Sequence, residues 1–147
     1  MNKYYRFALA YTKNPKSIGS VIPSSNFLGK AMANAAKAST INGNMQIIEI
    51  GAGTGSITNH LKAVCNNVEL IIFEPEHRLF DKINKSHNNS KLYCKSIPCL
   101  EFTKHSSNPC IIISSLPFRS IDNKTKIVNA IKDSFLTGSC KKLIQYS

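Results

Sequence analysis

The chain has 147 residues and a mass of 16.2 kDa, a size that suits one domain around one core and leaves no room for a second catalytic domain. Lysine and arginine number 19 against 8 acidic residues, a formal net charge of +11, while 42% of the residues are hydrophobic, too many for a disordered basic tail. The five cysteines, Cys65, Cys94, Cys99, Cys110 and Cys140, are odd in number and contain no C-x-x-C pair, which argues against a secreted disulfide scaffold and a zinc ribbon, so no metal is expected.

The opening residues, MNKYYRFALAY, set charge inside the one apolar candidate stretch, so no signal peptide is expected. No run approaches about 18 apolar residues, so no membrane-spanning helix is expected, and the chain reads as cytoplasmic. Residues 2–12 suit a short helix of basic and aromatic side chains, broken by Asn14-Pro15. No acidic residue precedes Glu49, whereas Lys3, Arg6, Lys13, Lys16, Lys30 and Lys37 do. With Tyr4, Tyr5, Phe7 and Tyr11 interleaved, this one-sided third favours a polyanion or an anionic lipid surface. The segment 17–25 reads as a loop. A helix should follow it, capped by Ser24 or Ser25, with Phe27, Leu28, Ala31, Met32 and Ala35 as its apolar face. Residues 41–44 form a turn.

From Met45 the pattern changes. Met45–Ile50 reads as a strand, Gly51–Gly55 as a loop, and Ile57, Leu61, Val64 and Cys65 recur at helical spacing. Val68–Phe73 is a second strand ending in Glu74-Pro75, followed by a helix over 76–86 with Leu79, Phe80 and Ile83. Lys91–Cys94 is a third strand. Cys110–Ser114 has the continuous apolar character of a strand buried on both faces. Asp122 suits the cap of a helix carrying Ile127, Val128, Ile131 and Phe135, ended by Gly138. Lys142–Tyr146 is a fifth strand. This alternation predicts an α/β, Rossmann-like fold: a mostly parallel sheet with helices on both faces. Residues 1–40 form an N-terminal helical and loop segment, and residues 45–147 the core of the same single domain.

The chemistry concentrates at Glu49-Ile50-Gly51-Ala52-Gly53-Thr54-Gly55. Glycines between a strand and a helix allow a tight turn and let a ligand approach the backbone, and the helix start offers free N–H groups. Glu74, at the end of the second strand, is placed to accept hydrogen bonds from a ribose diol. Its alternative role is a helix cap, with Pro75 as first helical residue. Together they indicate a nucleoside-binding crevice. The Walker pattern is absent, and position 56, where a dinucleotide fingerprint has its third glycine, is Ser. The tight E-x-G-x-G-x-G form resembles motif I of the class I S-adenosylmethionine methyltransferases.

With that motif placed, the chain resembles the bacterial phospholipid N-methyltransferases, class I enzymes grouped with the rRNA adenine dimethyltransferases. Four segments carry the resemblance: Gly19-Ser20-Val21-Ile22-Pro23-Ser24-Ser25, which looks like the family's loop before motif I; Glu49 to Gly55; Glu74; and Ser114-Ser115-Leu116-Pro117-Phe118. The ending Leu143-Ile144-Gln145-Tyr146-Ser147 looks like the family's fifth strand. The fold usual to these enzymes has seven strands, so the chain reads as C-terminally truncated after five. That would leave a strand-five edge in need of a covering partner or a second copy.

The resemblance implies S-adenosylmethionine as cofactor, bound by Glu49, Gly51, Ala52, Gly53, Thr54, Gly55, Glu74, Pro75, Ser96 and Ser114. It implies the amine of a phosphatidylethanolamine-type lipid as acceptor, on a peripheral site at the inner membrane face. One departure stands out: Lys95 or Ser96 occupies the place where related enzymes carry an Asp toward the adenine amine. Ser115, Leu116, Pro117 and Phe118 would orient the acceptor, Phe118 stacking on a flat base or lying against a cationic headgroup; otherwise Phe118 is core. Arg119 would pair with a phosphate. Tyr11, Ser20, Pro23, Ser24 and Ser25 would cover the cofactor, and Tyr11, His77 and His105 are the polar candidates for a base. Two rivals remain. An rRNA or DNA adenine N6-methyltransferase suits Phe118 and the charge. A non-catalytic, truncated S-adenosylmethionine-binding remnant suits the missing acid.

Overall fold

The computed structural model describes residues 21–40, 44–87, 91–93, 108–116 and 124–145, with the backbone alone at 21–25, 91–93 and 124. In chain order these form helix α1 (Val21–Thr40), strand β1 (Gln46–Ile50), α2 (Ser56–Val64), β2 (Leu70–Phe73), α3 (His77–Ser86), β3 (Lys91–Tyr93), β4 (Cys110–Ser114), α4 (Lys124–Leu136) and β5 (Cys140–Gln145).

The strands make one parallel sheet in the order β3-β2-β1-β4-β5. Every residue of β1, β2 and β4 is buried, as expected of isoleucine-rich strands covered on both faces, although β1 carries the polar Gln46 and Glu49 inward as well. On one face Ile47, Ile72, Ile111 and Ile113 pack with Met32, Ala33 and Ala36 of α1, Ile57 and Leu61 of α2, and Ile83 of α3. On the other, Ile48, Ile50, Ile71, Phe73 and Ile112 pack with Ile127 and Ile131 of α4. Strand order reverses between β1 and β4, so the connections leaving their C-terminal ends diverge and open a crevice there.

The α/β parallel architecture is as expected, and several local features differ. Helix α1 begins at Val21, so Pro23 and Ser24 lie in its first turn and Ser25 just beyond, instead of in a loop. Proline is tolerated there because the first N–H groups of a helix have no intrahelical acceptor. The buried face of α1 is also rotated: Phe27 is 59% exposed, while Gly29, Met32, Ala33 and Ala36 are buried. The small residues set this face. A Cβ on Gly29 would sit 2.8 Å from His60 Cδ2 and would require that ring to shift, so glycine lets the His60 side chain lie against α1. On α4 the buried stripe is Ile127, Ile131 and Ser134, and the predicted core residues Val128 and Phe135 are 48% and 39% exposed. Residues 2–12 and Asp122 lie outside the described residues. Among those described, no helix is long and apolar enough to cross a membrane.

Candidate active site

The loop after β1 is built by three glycines in the left-handed region, Gly51 (φ 72°), Gly53 (φ 57°) and Gly55 (φ 83°). That conformation costs an L-residue about 1–2 kcal/mol. The Gly51 N–H bonds the Phe73 carbonyl of β2 at 2.9 Å, and Gly55 N–H closes a turn on the Ala52 carbonyl at 2.9 Å. The chain thereby leaves the sheet and starts α2 at once, with Gly55 as its N-cap and no side-chain cap. Ala52 is buried in the core, and Thr54 is exposed.

Glu74 joins the second strand to this loop. It is almost fully buried, and its Oε2 accepts the Gly53 N–H at 2.7 Å while its Oε1 accepts the Glu76 N–H at 2.8 Å. The alternative role as a helix cap does not hold. Helix α3 begins at His77, its N-cap is Glu76, and Pro75 is an exposed residue before it. Glu74 therefore faces the glycine loop across the crevice.

Glu49 lies beneath the loop, fully buried. Its Oε2 accepts the Thr58 hydroxyl at 2.7 Å, and its Oε1 has no hydrogen-bond partner among the described residues. Burial pushes its carboxyl up from 4.5 to about 7. The nearby Glu74 charge adds to the rise, and the Thr58 hydrogen bond opposes it.

The end of β4 meets the glycine loop from the other side. Ser115 Oγ donates to the Gly51 carbonyl at 2.7 Å. The Leu116 N–H bonds Ser114 Oγ at 3.3 Å, and the Leu116 carbonyl accepts from Gln145 Nε2 at 3.2 Å. A Cβ on Gly51 would collide with Leu116 Cδ2. The residues assigned to the cofactor and those assigned to the acceptor thus share one contact zone at the C-terminal ends of β1 and β4.

Of the site residues expected from sequence, Glu49, Gly51, Gly53, Gly55, Glu74, Ser114, Ser115 and Leu116 come together here. His77 stands exposed at the start of α3. Tyr11, Ser20, Ser96, His105, Pro117, Phe118 and Arg119, and the side chains of Pro23, Ser24 and Ser25, lie outside the described residues. Sequence reasoning missed Thr58 and Gln145. Thr58 left a faint signal as a polar residue between the apolar positions Ile57 and Leu61. Gln145 left none, because its partner is fixed only by the pairing of β5 with β4.

Three solved structures show how widely this fold is shared. The 23S rRNA methyltransferase ErmE superposes with a TM-score of 0.56 at 17% identity, over 79% of this chain and 45% of its own. The plantazolicin methyltransferase BpumL, in complex with SAH, gives 0.63 at 13% over 98% and 54%. An S-adenosylmethionine-dependent methyltransferase from Clostridium acetobutylicum gives 0.59 at 15% over 98% and 57%. The chain spans about half the length of these proteins, and at such identities the likeness establishes the class I methyltransferase fold alone. A search of curated proteins finds no match.

Comparison with family models corrects the resemblance to the phospholipid N-methyltransferases. The matching model is that of the ribosomal RNA adenine dimethylases. The roles expected of Glu49–Gly55, Glu74 and Ser114–Phe118, holding donor and acceptor amine, would be common to lipid and adenine methylation, so these segments do not separate the two. With residues 6–135 matched, the chain belongs to the ribosomal RNA adenine dimethylase family.

Proposed function

We propose that the chain is an S-adenosylmethionine-dependent methyltransferase whose acceptor is the exocyclic N6 amine of adenine in RNA. The observation that carries this reading is the Ser115 Oγ to Gly51 carbonyl bond of 2.7 Å, which ties the acceptor loop of β4 to the glycine loop of β1. Family membership supports the adenine acceptor, and the net charge of +11 supports a polyanionic substrate.

The residues present fit the cofactor. Apart from the Gly51 carbonyl oxygen at 4.0 Å, nothing among the described residues stands near the position a Gly53 Cβ would take, so a ligand can lie on the backbone there. Glu49 Oε1 offers an acceptor not used by the described residues, and the buried Glu74 carboxylate suits a ribose diol. When bound, S-adenosylmethionine supplies a methyl group on a sulfonium, and transfer to a neutral amine releases one proton. The protein's work is then to hold the acceptor in line. Ser115 Oγ has its proton committed to Gly51, so its lone pairs remain to accept an amine N–H. The Leu116 carbonyl is a second acceptor beside it.

The test is transfer of labelled methyl from S-adenosylmethionine to ribosomal RNA, with DNA of matched sequence in parallel. Wild type should label the RNA at adenine N6, and Gly53→Asp should abolish the label. Binding of the cofactor without label in any nucleic acid would favour the remnant instead, and label in DNA alone would move the substrate.

A further inference from the structure

We infer that Gln145 is a positioning residue for the acceptor amine, acting through the Leu116 carbonyl. This rests on the methyl-transfer reading above and adds to it a side chain from a strand outside both motifs.

Gln145 is the last residue of β5, and its Cα pairs in register with Ser114, the last residue of β4. Its Nε2 donates to the Leu116 carbonyl at 3.2 Å. The other side of the same residue is fixed as well, since the Leu116 N–H bonds Ser114 Oγ at 3.3 Å. Leu116 follows the end of β4, where ladder hydrogen bonds no longer hold its peptide groups. Two side chains hold them instead, while the Leu116 side chain rests against Gly51.

The choice of an amide has a chemical consequence. A carbonyl oxygen has two lone pairs, so one can be held by Gln145 while the other faces an amine. An N–H donor on the first also polarises the carbonyl and strengthens it as an acceptor on the second. An amine undergoing methylation gains positive charge, and the pull of that carbonyl on its N–H grows with it. Gln145 should therefore act on turnover more than on cofactor binding.

The experiment uses labelled S-adenosylmethionine, ribosomal RNA as acceptor, and calorimetric binding of S-adenosylhomocysteine as a check on the cofactor half. Gln145→Leu should lower kcat about tenfold or more while cofactor-product affinity stays within about threefold. Gln145→Glu is nearly isosteric and distinguishes positioning from packing. At about pH 8 its carboxylate only accepts and repels the Leu116 carbonyl. Near pH 4, below the ordinary glutamate value of about 4.3, a protonated carboxyl donates as the amide does. Its kcat relative to wild type should rise as pH falls across that range. Wild-type kcat in Gln145→Leu, a pH-independent ratio for Gln145→Glu, or a parallel loss of S-adenosylhomocysteine binding in both variants would each overturn the inference and leave the methyltransferase reading standing. A wild-type protein that labels neither RNA nor DNA would overturn both.

Discussion

Ser115 and Gly51, 64 positions apart, are joined by a 2.7 Å hydrogen bond from the serine hydroxyl to the glycine carbonyl. Gly51 belongs to the loop proposed for the methyl donor, and Ser115 to the loop proposed for the acceptor. Ser115→Ala leaves the Gly51 carbonyl without this donor and is expected to cost about 1 kcal/mol of stability, measured by urea unfolding. The same variant removes an acceptor for the amine, so kcat should fall while S-adenosylhomocysteine affinity changes little. Equal losses of kcat and cofactor-product affinity would show that the bond shapes only the donor half.

Gly51 and Gly53 share a left-handed backbone and differ in surroundings. Alanine at either position meets a conformational cost of about 1–2 kcal/mol. At Gly51 the new methyl also collides with Leu116 Cδ2, whereas at Gly53 nothing among the described residues lies nearer than the Gly51 oxygen at 4.0 Å. Gly51→Ala should be the less stable variant in urea. Gly53→Ala should fold more nearly as wild type does and lose cofactor affinity by about tenfold or more, because its methyl occupies the face on which the ligand lies. The reverse ranking of stabilities would place the crowded side of the loop at Gly53.

These two loops were legible before the structure because their chemistry is local. The isoleucine run of β4 announces a strand buried on both faces, the largely apolar Met45–Ile50 announces another strand, and the glycines directly after it announce a tight turn. Glu74 was legible for the same reason, at the end of an apolar run. The face of α1 was not, because ranking by hydrophobicity favours Phe27, while the face buried in the structure carries the small residues Gly29, Ala33 and Ala36 with Met32. Thr58 and Gln145 were hidden because their partners, Glu49 and Leu116, are brought to them by tertiary packing. The family was misjudged because the resemblance to the phospholipid enzymes leaned on Gly19–Ser25, and those residues fall within the 6–135 matched by the ribosomal RNA adenine dimethylase model, so they do not separate the two families.

Glu74 holds two backbone donors, the N–H groups of Gly53 and Glu76. Glu74→Ala leaves both without this acceptor and is expected to cost about 1–3 kcal/mol, whereas Glu74→Gln keeps one oxygen and should cost less. The role proposed for it toward a ribose separates from this structural role by a ligand change. An S-adenosylhomocysteine analogue lacking both ribose hydroxyls should bind wild type more weakly than the parent compound by about tenfold. In Glu74→Ala the two ligands should bind alike. A discrimination that survives in the alanine variant would assign the diol to another residue.

Glu49 sets a pH dependence whose sign follows from its raised carboxyl. Its value is about 7 in the folded protein against 4.5 ordinarily, because burial disfavours the charge. Between those values the native state keeps a proton that the unfolded chain has released, so stability should fall as pH rises from about 4.5 to 7. Above pH 7 the deficit levels off at about 3 kcal/mol. Glu49→Gln carries no such charge, and its urea midpoint should be flatter across this window and higher than wild type at pH 8. The cost is borne by function. A cationic cofactor draws the carboxylate form, so S-adenosylmethionine affinity of wild type should rise as pH climbs through about 7, with proton release visible as a buffer-dependent binding heat. In Glu49→Gln both the rise and the proton release should vanish. A wild-type midpoint that rises with pH between 5 and 7, or proton release unchanged in the glutamine variant, would mean that another group governs the titration.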